Sequence, residues 1–247
     1  MSYKITVVTV CFNAEETIKE TIESVLSQKN VNIEYLIVDG NSTDKTKKII
    51  EEYVRDNNIR YISEDDDGIY DAMNKAIELA EGEYIIFLNS GDIFYDNLVL
   101  KDVELQLKKD TEIDVLYGDV QLSRNNEKTL YSYSDFKINA MFFCRELMIC
   151  HQSIFIKREI LKKYKFDTKY IICADRKQII KLMKDKYKFQ YIDRVISIYD
   201  CNGFSEKNMN LLRKEAKKIL YEEFGLYARI VFLLRFIKNA LRKITIC

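Results

Sequence analysis

Four short apolar, β-branched runs separated by longer stretches of helical periodicity fill the first ninety residues, and this alternation constrains the fold more than any other feature. Residues 5–10, 35–39, 59–62 and 83–88 read as strands. The run ITVVTV (5–10) lacks the polar alternation of a half-exposed strand, which predicts burial on both faces. Between these runs, Ile18, Ile22, Val25 and Leu26 share one helical face, and residues 43–55 and 69–80 read as two further helices. Asn13, three residues before Glu16, fits an N-cap with its capping-box partner. Repeated β-α-β units predict a parallel sheet with helices on both sides.

Beyond residue 92 the pattern loosens. A helix is expected at 97–109, a strand at 113–118, a hairpin through 120–133 around Asn125-Asn126, and a helix at 173–184. Short strands are expected near 189–199, and helices at about 207–223 and 225–243. These elements divide the chain into one α/β domain (1–205) and a C-terminal helical tail (206–247). Within the domain, the regular half runs to about residue 95 and the looser half covers 96–205.

Charge narrows the function. Thirty-nine Lys and Arg balance 39 Asp and Glu, so the chain lacks the basic footprint of a general nucleic-acid binder. The six cysteines are scattered without a Cys-x-x-Cys pair, which speaks against a zinc knuckle. The N-terminus carries no basic region before a long apolar stretch, and no window approaches the roughly 20 apolar residues of a membrane span. A reducing, cytoplasmic setting is therefore expected.

In an open α/β sheet, ligands bind beyond the carboxyl ends of the strands. Asp39 closes the second run, residues 64–67 follow the third, and Asn89, Ser90, Gly91 and Asp92 follow the fourth. No glycine loop of the dinucleotide or P-loop kind is present. An acidic rim without such a loop suits a hard divalent cation carrying a diphosphate.

The segments TVVTVCFNAEETIKETIESVLSQ (6–28), LIVDGNSTDKT (36–46), SEDDDGIYDAMNKAIELAEGEYIIFLNSGD (63–92) and HQSIFIKREIL (151–161) resemble the family 2 inverting glycosyltransferases, especially bacterial enzymes of capsule, O-antigen and colanic-acid-type polysaccharide. The resemblance implies the GT-A fold, a nucleotide-sugar donor, Mg²⁺ or Mn²⁺, and a single inverting displacement. Phe12 and Asn13 match the motif bordering the nucleoside, and Phe12 offers an aromatic face to the base. Asp39 matches the acid that bonds uracil or ribose. Glu64, Asp71 and Asn74 match polar positions near the nucleotide.

Residues 89–92 stand where the family has Asp-x-Asp-Asp. Here the motif is Asn-Ser-Gly-Asp, leaving Asp92 as the metal carboxylate. Asp175 matches the Asp of the family's Glu-Asp pair, the general base, while Ala174 replaces the pair's first acid. A plain helix cap is the alternative for Asp175. His151 and Gln152 match a segment lining the acceptor and diphosphate side, with a purely structural histidine as the alternative.

After Glu223 no acid occurs, whereas Arg229, Arg235, Lys238, Arg242 and Lys243 do. Leu226, Ile230, Leu233, Ile237 and Leu241 share one helical face and Arg235, Lys238, Asn239 and Arg242 the other, which suits an anionic membrane surface or, alternatively, packing against the domain or a second subunit. The combined expectation is a glycosyltransferase acting from a UDP-sugar on a saccharide or lipid-linked acceptor, peripheral to the inner face of the cell membrane. Two rivals are a catalytically impaired homologue that only binds sugar nucleotide or acceptor, and a nucleotidyltransferase.

Overall fold

The computed structural model describes residues 3–124, 127–144, 148–201, 203 and 207–244. Its first half runs β1 (Lys4–Cys11), α1 (Ile18–Leu26), β2 (Asn32–Asp39), α2 (Thr46–Asp56), β3 (Ile59–Ser63), α3 (Ile69–Leu79) and β4 (Tyr84–Phe87). Then follow β5 (Ile93–Phe94), α4 (Val99–Lys109), β6 (Val115–Arg124), β7 (Glu127–Tyr131), α5 (Ala140–Cys144), β8 (Ile154–Lys157) and α6 (Arg158–Lys163). The chain continues through α7 (Ala174–Lys184) and β9 (Phe189–Asp200) to α8 (Met209–Ile244).

All these strands belong to one sheet, ordered β3-β2-β1-β4-β8-β6-β9-β5, with β7 beside β6. The β-α-β reading holds for the first four strands, which pair in parallel. Past β4 the sheet is mixed. β8 lies antiparallel to both β4 and β6, β5 is antiparallel to β9, and only β6 and β9 pair in parallel. The expected hairpin forms as β6 and β7, though its Asn125-Asn126 turn lies outside the described residues. The short strands expected near 189–199 are one strand of 12 residues.

β1 is buried on both faces, as its unbroken apolar run requires. Ile5 and Val7 pack into one layer with Ile18 and Ile22 of α1, Ile50 of α2 and Val103 of α4. Val8 and Val10 enter the opposite layer with Met73 and Ile77 of α3, Ile180 of α7 and Ile219 of α8. Full burial of each such side chain contributes about 1.5–3 kcal/mol, so both layers hold the strand. Its carboxyl end is thereby fixed at the rim.

The capping-box reading is corrected. α1 starts at Ile18 behind Thr17, which makes no side-chain cap. Asn13 instead takes a left-handed φ of 48°, and its side-chain oxygen accepts the Thr43 N–H at 2.9 Å. A short amide that satisfies a neighbouring loop favours such a position over a helix start.

The tail breaks where the two-helix reading divides it. Gly225 has φ 51° and ψ −123° inside α8, and beyond it the Phe232 ring meets Tyr221 edge-on at 5.7 Å. Ala216, Ile219, Leu220, Ala228 and Val231 are buried, so much of α8 belongs to the core.

Candidate active site

The loops after β1, β2 and β3 are laced around Asp39, which is fully buried. Its Oδ2 accepts the Ser42 N–H at 3.0 Å and the Ser63 hydroxyl at 2.7 Å, while Oδ1 accepts the Ser42 hydroxyl. The Asn13 N–H donates to Ser42 Oγ at 2.8 Å, and the Ala14 N–H to Thr46 Oγ1 at 2.7 Å. Gly40 passes close to Asp66, whose carboxylate would have to shift to admit a Cβ there. Asp39 thus shapes the pocket from within rather than presenting a free carboxylate. Phe12, 62% exposed, stands out at its edge. Burial lifts the Asp66 carboxyl above its usual range.

Three expected nucleotide contacts have other partners. Glu64 and Asp71 both pair with Lys75, at 3.1 and 3.3 Å. The Asn74 amide donates to Phe166 C=O and accepts the Phe166 N–H, both at 2.9 Å. Asn74 therefore pins α3 to the segment before α7.

A second cluster forms beside the loop after β4. Asp92 is 4% exposed; its Oδ2 accepts Gln152 Nε2 at 3.0 Å and its Oδ1 the Asp200 N–H at 3.4 Å. α1 fastens this loop. The Thr21 hydroxyl donates to Asp92 C=O at 2.9 Å and accepts the Gly91 N–H at 3.0 Å, and Thr17 Oγ1 meets Ser90 Oγ at 2.8 Å. Gly91 holds a φ of 98° that a side chain would strain.

His151 and Gln152 lie in a 3₁₀ turn ahead of β8, so adjacent side chains serve adjacent acids. His151 Nε2 lies 3.0 Å from Asn89 Nδ2, and Nδ1 lies 3.2 Å from Asp175 Oδ2. Asp175 Oδ1 accepts the Arg176 N–H at 2.7 Å and lies 3.2 Å from the Tyr70 hydroxyl, which donates to Ile172 C=O at 2.5 Å. An unbroken polar line therefore joins the β4 loop to the start of α7. Neighbouring Cys150 is pushed up to about 12 by burial, so it holds its proton and is no nucleophile at neutral pH.

Asp200 and Tyr70 were not singled out from the sequence. Asp200 ends β9 on the same rim, and a strand boundary one residue later would have marked it. Tyr70 carried no signal beyond helical periodicity.

Burial raises the Asp92 carboxyl to about 7, opposed by His151, by Gln152 and by the Asp200 N–H, with the Asp200 charge adding the least to the rise. Asn89 Oδ1 is buried without a hydrogen-bond partner. A disfavoured carboxylate and an orphaned carbonyl oxygen are the donors a hard divalent cation takes, so these residues fit Mg²⁺ or Mn²⁺. Among the described residues no three His, Cys, Asp or Glu converge as a complete metal cage. Phosphate and water oxygens would fill the remaining positions.

A parallel half-sheet with an acidic rim, continued by a mixed half-sheet flanked by α7 and its Asp175, is an α/β architecture of the GT-A type. The chain belongs to glycosyl transferase family 2, whose sequence profile matches residues 6–165. It is 29% identical over 230 residues to an uncharacterized glycosyltransferase of Methanocaldococcus jannaschii, covering 90% of this chain and 78% of that one. A PGL/p-HBAD biosynthesis glycosyltransferase of Mycobacterium tuberculosis is 28% identical over 226 residues, covering 90% and 86%. Among solved structures, S. aureus TarS 1–349 in complex with UDP-GlcNAc superposes with a TM-score of 0.70 at 19% identity, covering 93% and 73% of the two chains. A Pyrobaculum calidifontis mannosyltransferase in complex with GDP-Man and Mn²⁺ gives 0.67 at 16%, covering 93% and 65%. The protein is a glycosyltransferase enzyme of GT-A fold.

Proposed function

We propose that this glycosyltransferase moves a sugar from a UDP-sugar to a saccharide or lipid-linked saccharide acceptor, with inversion, in surface polysaccharide synthesis. The observation that carries the reading is the polar line Asn89–His151–Asp175 with Asp92 alongside. It sets a buried acid suited to a cation next to a carboxylate suited to a proton. The TarS relative that holds UDP-GlcNAc supports the UDP carrier.

Phe12 would stack on the base, within a pocket whose loops Asp39 holds in place. Asp92, Asp200 and Asn89 Oδ1 would hold the Mg²⁺ or Mn²⁺, which when bound neutralises the departing diphosphate. Asp175 takes the acceptor hydroxyl proton as its oxygen attacks the anomeric carbon from the face opposite the diphosphate. His151 holds Asp175 in line, and Gln152 orients Asp92.

Incubation with UDP-sugars, Mn²⁺ and saccharide acceptors should give acceptor-dependent UDP release. Donor binding without release at any acceptor would instead identify a catalytically impaired homologue, and pyrophosphate chemistry a nucleotidyltransferase.

The tail supplies a contact with anionic membrane. Leu226, Tyr227, Ile230, Leu233, Leu234 and Ile237 are exposed along one stripe of α8, opposite buried Ala228 and Val231. The five cations and no acid after Glu223 complement anionic lipid and would repel a second copy of the same helix. Among the described residues no helix is long and apolar enough to cross a membrane. Because deleting the chain from residue 225 would strip Ala228 and Val231 from the core, the informative variant is Leu226→Glu/Leu233→Glu/Leu234→Glu. It should stay folded and lose at least about tenfold in binding to phosphatidylglycerol vesicles. Unchanged vesicle binding, or a dimer of the parent chain converted to monomer, would assign the stripe elsewhere.

A further inference from the structure

The start of α7, which carries Asp175, has no side-chain cap of its own. Cys173 is the N-cap residue and makes no capping bond through its side chain. Asp175 Oδ1 itself accepts the Arg176 N–H, and the donors of the three residues leading into the helix are met from the tail. Glu215 of α8, 7% exposed, accepts the Ile171 N–H at 2.9 Å on Oε1, and the Ile172 and Cys173 N–H groups at 2.9 and 3.1 Å on Oε2. One buried carboxylate thus binds three successive backbone donors just ahead of Asp175. Charge-assisted bonds of this kind are about twice as strong as neutral ones, and a helix start without them frays.

Seven residues on, and so on the same face of α8, Glu222 accepts the Tyr170 hydroxyl at 2.5 Å and lies 3.4 Å from Lys177 Nζ. The two acids grip the segment on either side of the Asp175 turn. From the opposite side, Tyr70 of α3 holds Ile172 C=O.

We propose that Glu215 is a positioning residue for the transfer reaction, holding residues 171–173, the lead into α7, from the tail helix and so fixing Asp175 against the acceptor. This rests on the reading of Asp175 as the base. The hydrogen bonds of Glu215 go to residues 171–173 and not to the loops after β1, β2 and β3, so its removal should act on turnover and leave donor binding alone. A group displaced by about an ångström loses on the order of 10²-fold in rate.

The test compares Glu215→Leu and Glu215→Gln with the parent full-length chain. Amide hydrogen exchange at residues 171–175 should quicken in Glu215→Leu. With Mn²⁺, a UDP-sugar and a working acceptor, its kcat should fall about 10–10²-fold, with donor KM and UDP affinity unchanged. Glu215→Gln keeps an accepting carbonyl oxygen and should recover part of both effects; it also carries the test if the leucine variant does not fold. Unchanged exchange would remove the clamp. Faster exchange with unchanged kcat would make Glu215 structural only and overturn the proposal. If the parent protein transfers sugar to no acceptor, the proposed function fails instead, and the exchange experiment still reports on the clamp separately.

Discussion

Replacing Asp175 by asparagine is expected to lower kcat by about 10²–10⁴-fold, the usual span for a positioned general base, while UDP affinity changes little. Asparagine keeps the shape and an oxygen that can accept the Arg176 N–H, but it takes up no proton at neutral pH. The split between turnover and binding follows from position: Asp175 opens α7 beside His151, whereas the loops proposed to hold the nucleotide follow β1, β2 and β3. Comparable turnover of variant and parent, measured with a true acceptor, would end the assignment. A structural cap at this place would show itself as lost stability with kcat retained.

The second large effect concerns Asp92. Burial raises its carboxyl from the ordinary value of 3.8 to about 7. Between these values the folded chain keeps a proton that the unfolded chain releases, so metal-free stability falls as pH rises through the window. Above pH 7 the full penalty is present. Asp92→Asn removes it and should raise the metal-free melting temperature at pH 8. At about 1.4 kcal/mol per pKa unit the ceiling is about 4 kcal/mol; half of that corresponds to about 4–8 °C for a chain of this size. At pH 5 roughly a third of the gap should remain, and the two proteins should melt together only below about pH 4, under the unfolded-state pKa.

Mn²⁺ reverses the order. The ion should stabilise the parent protein, more strongly at pH 8 than at pH 6 because it must displace the Asp92 proton, and it should leave Asp92→Asn unmoved. Donor binding that depends on metal should vanish in Asp92→Ala. Calorimetry showing equal UDP affinity with Mn²⁺ in variant and parent would remove Asp92 from the site.

The sequence by itself determined the parallel half of the sheet and its rim. Strands buried on both faces must be continuously apolar, so β1, β2 and β4 were legible, and topology alone places Asp39 and Asp92 at their carboxyl ends. The motifs around Phe12, Asp92 and Asp175 were legible through their resemblance to the family's motifs, not through strand burial. The break at Gly225 was legible from where the helical pattern lapses.

Tertiary structure decided what those residues touch. Asn13 left its expected cap for the β2 loop, Asn74 turned to Phe166 across 92 residues, and Asp200 reached Asp92 across 108. Glu215 reached the Asp175 turn across 42 to 44 residues. None of these partners leaves a periodic trace. Hydrophobic burial repeats along each element and marks it locally, whereas a single hydrogen bond between distant segments is specified only once the packed layers bring its donor and acceptor within 3 Å or so.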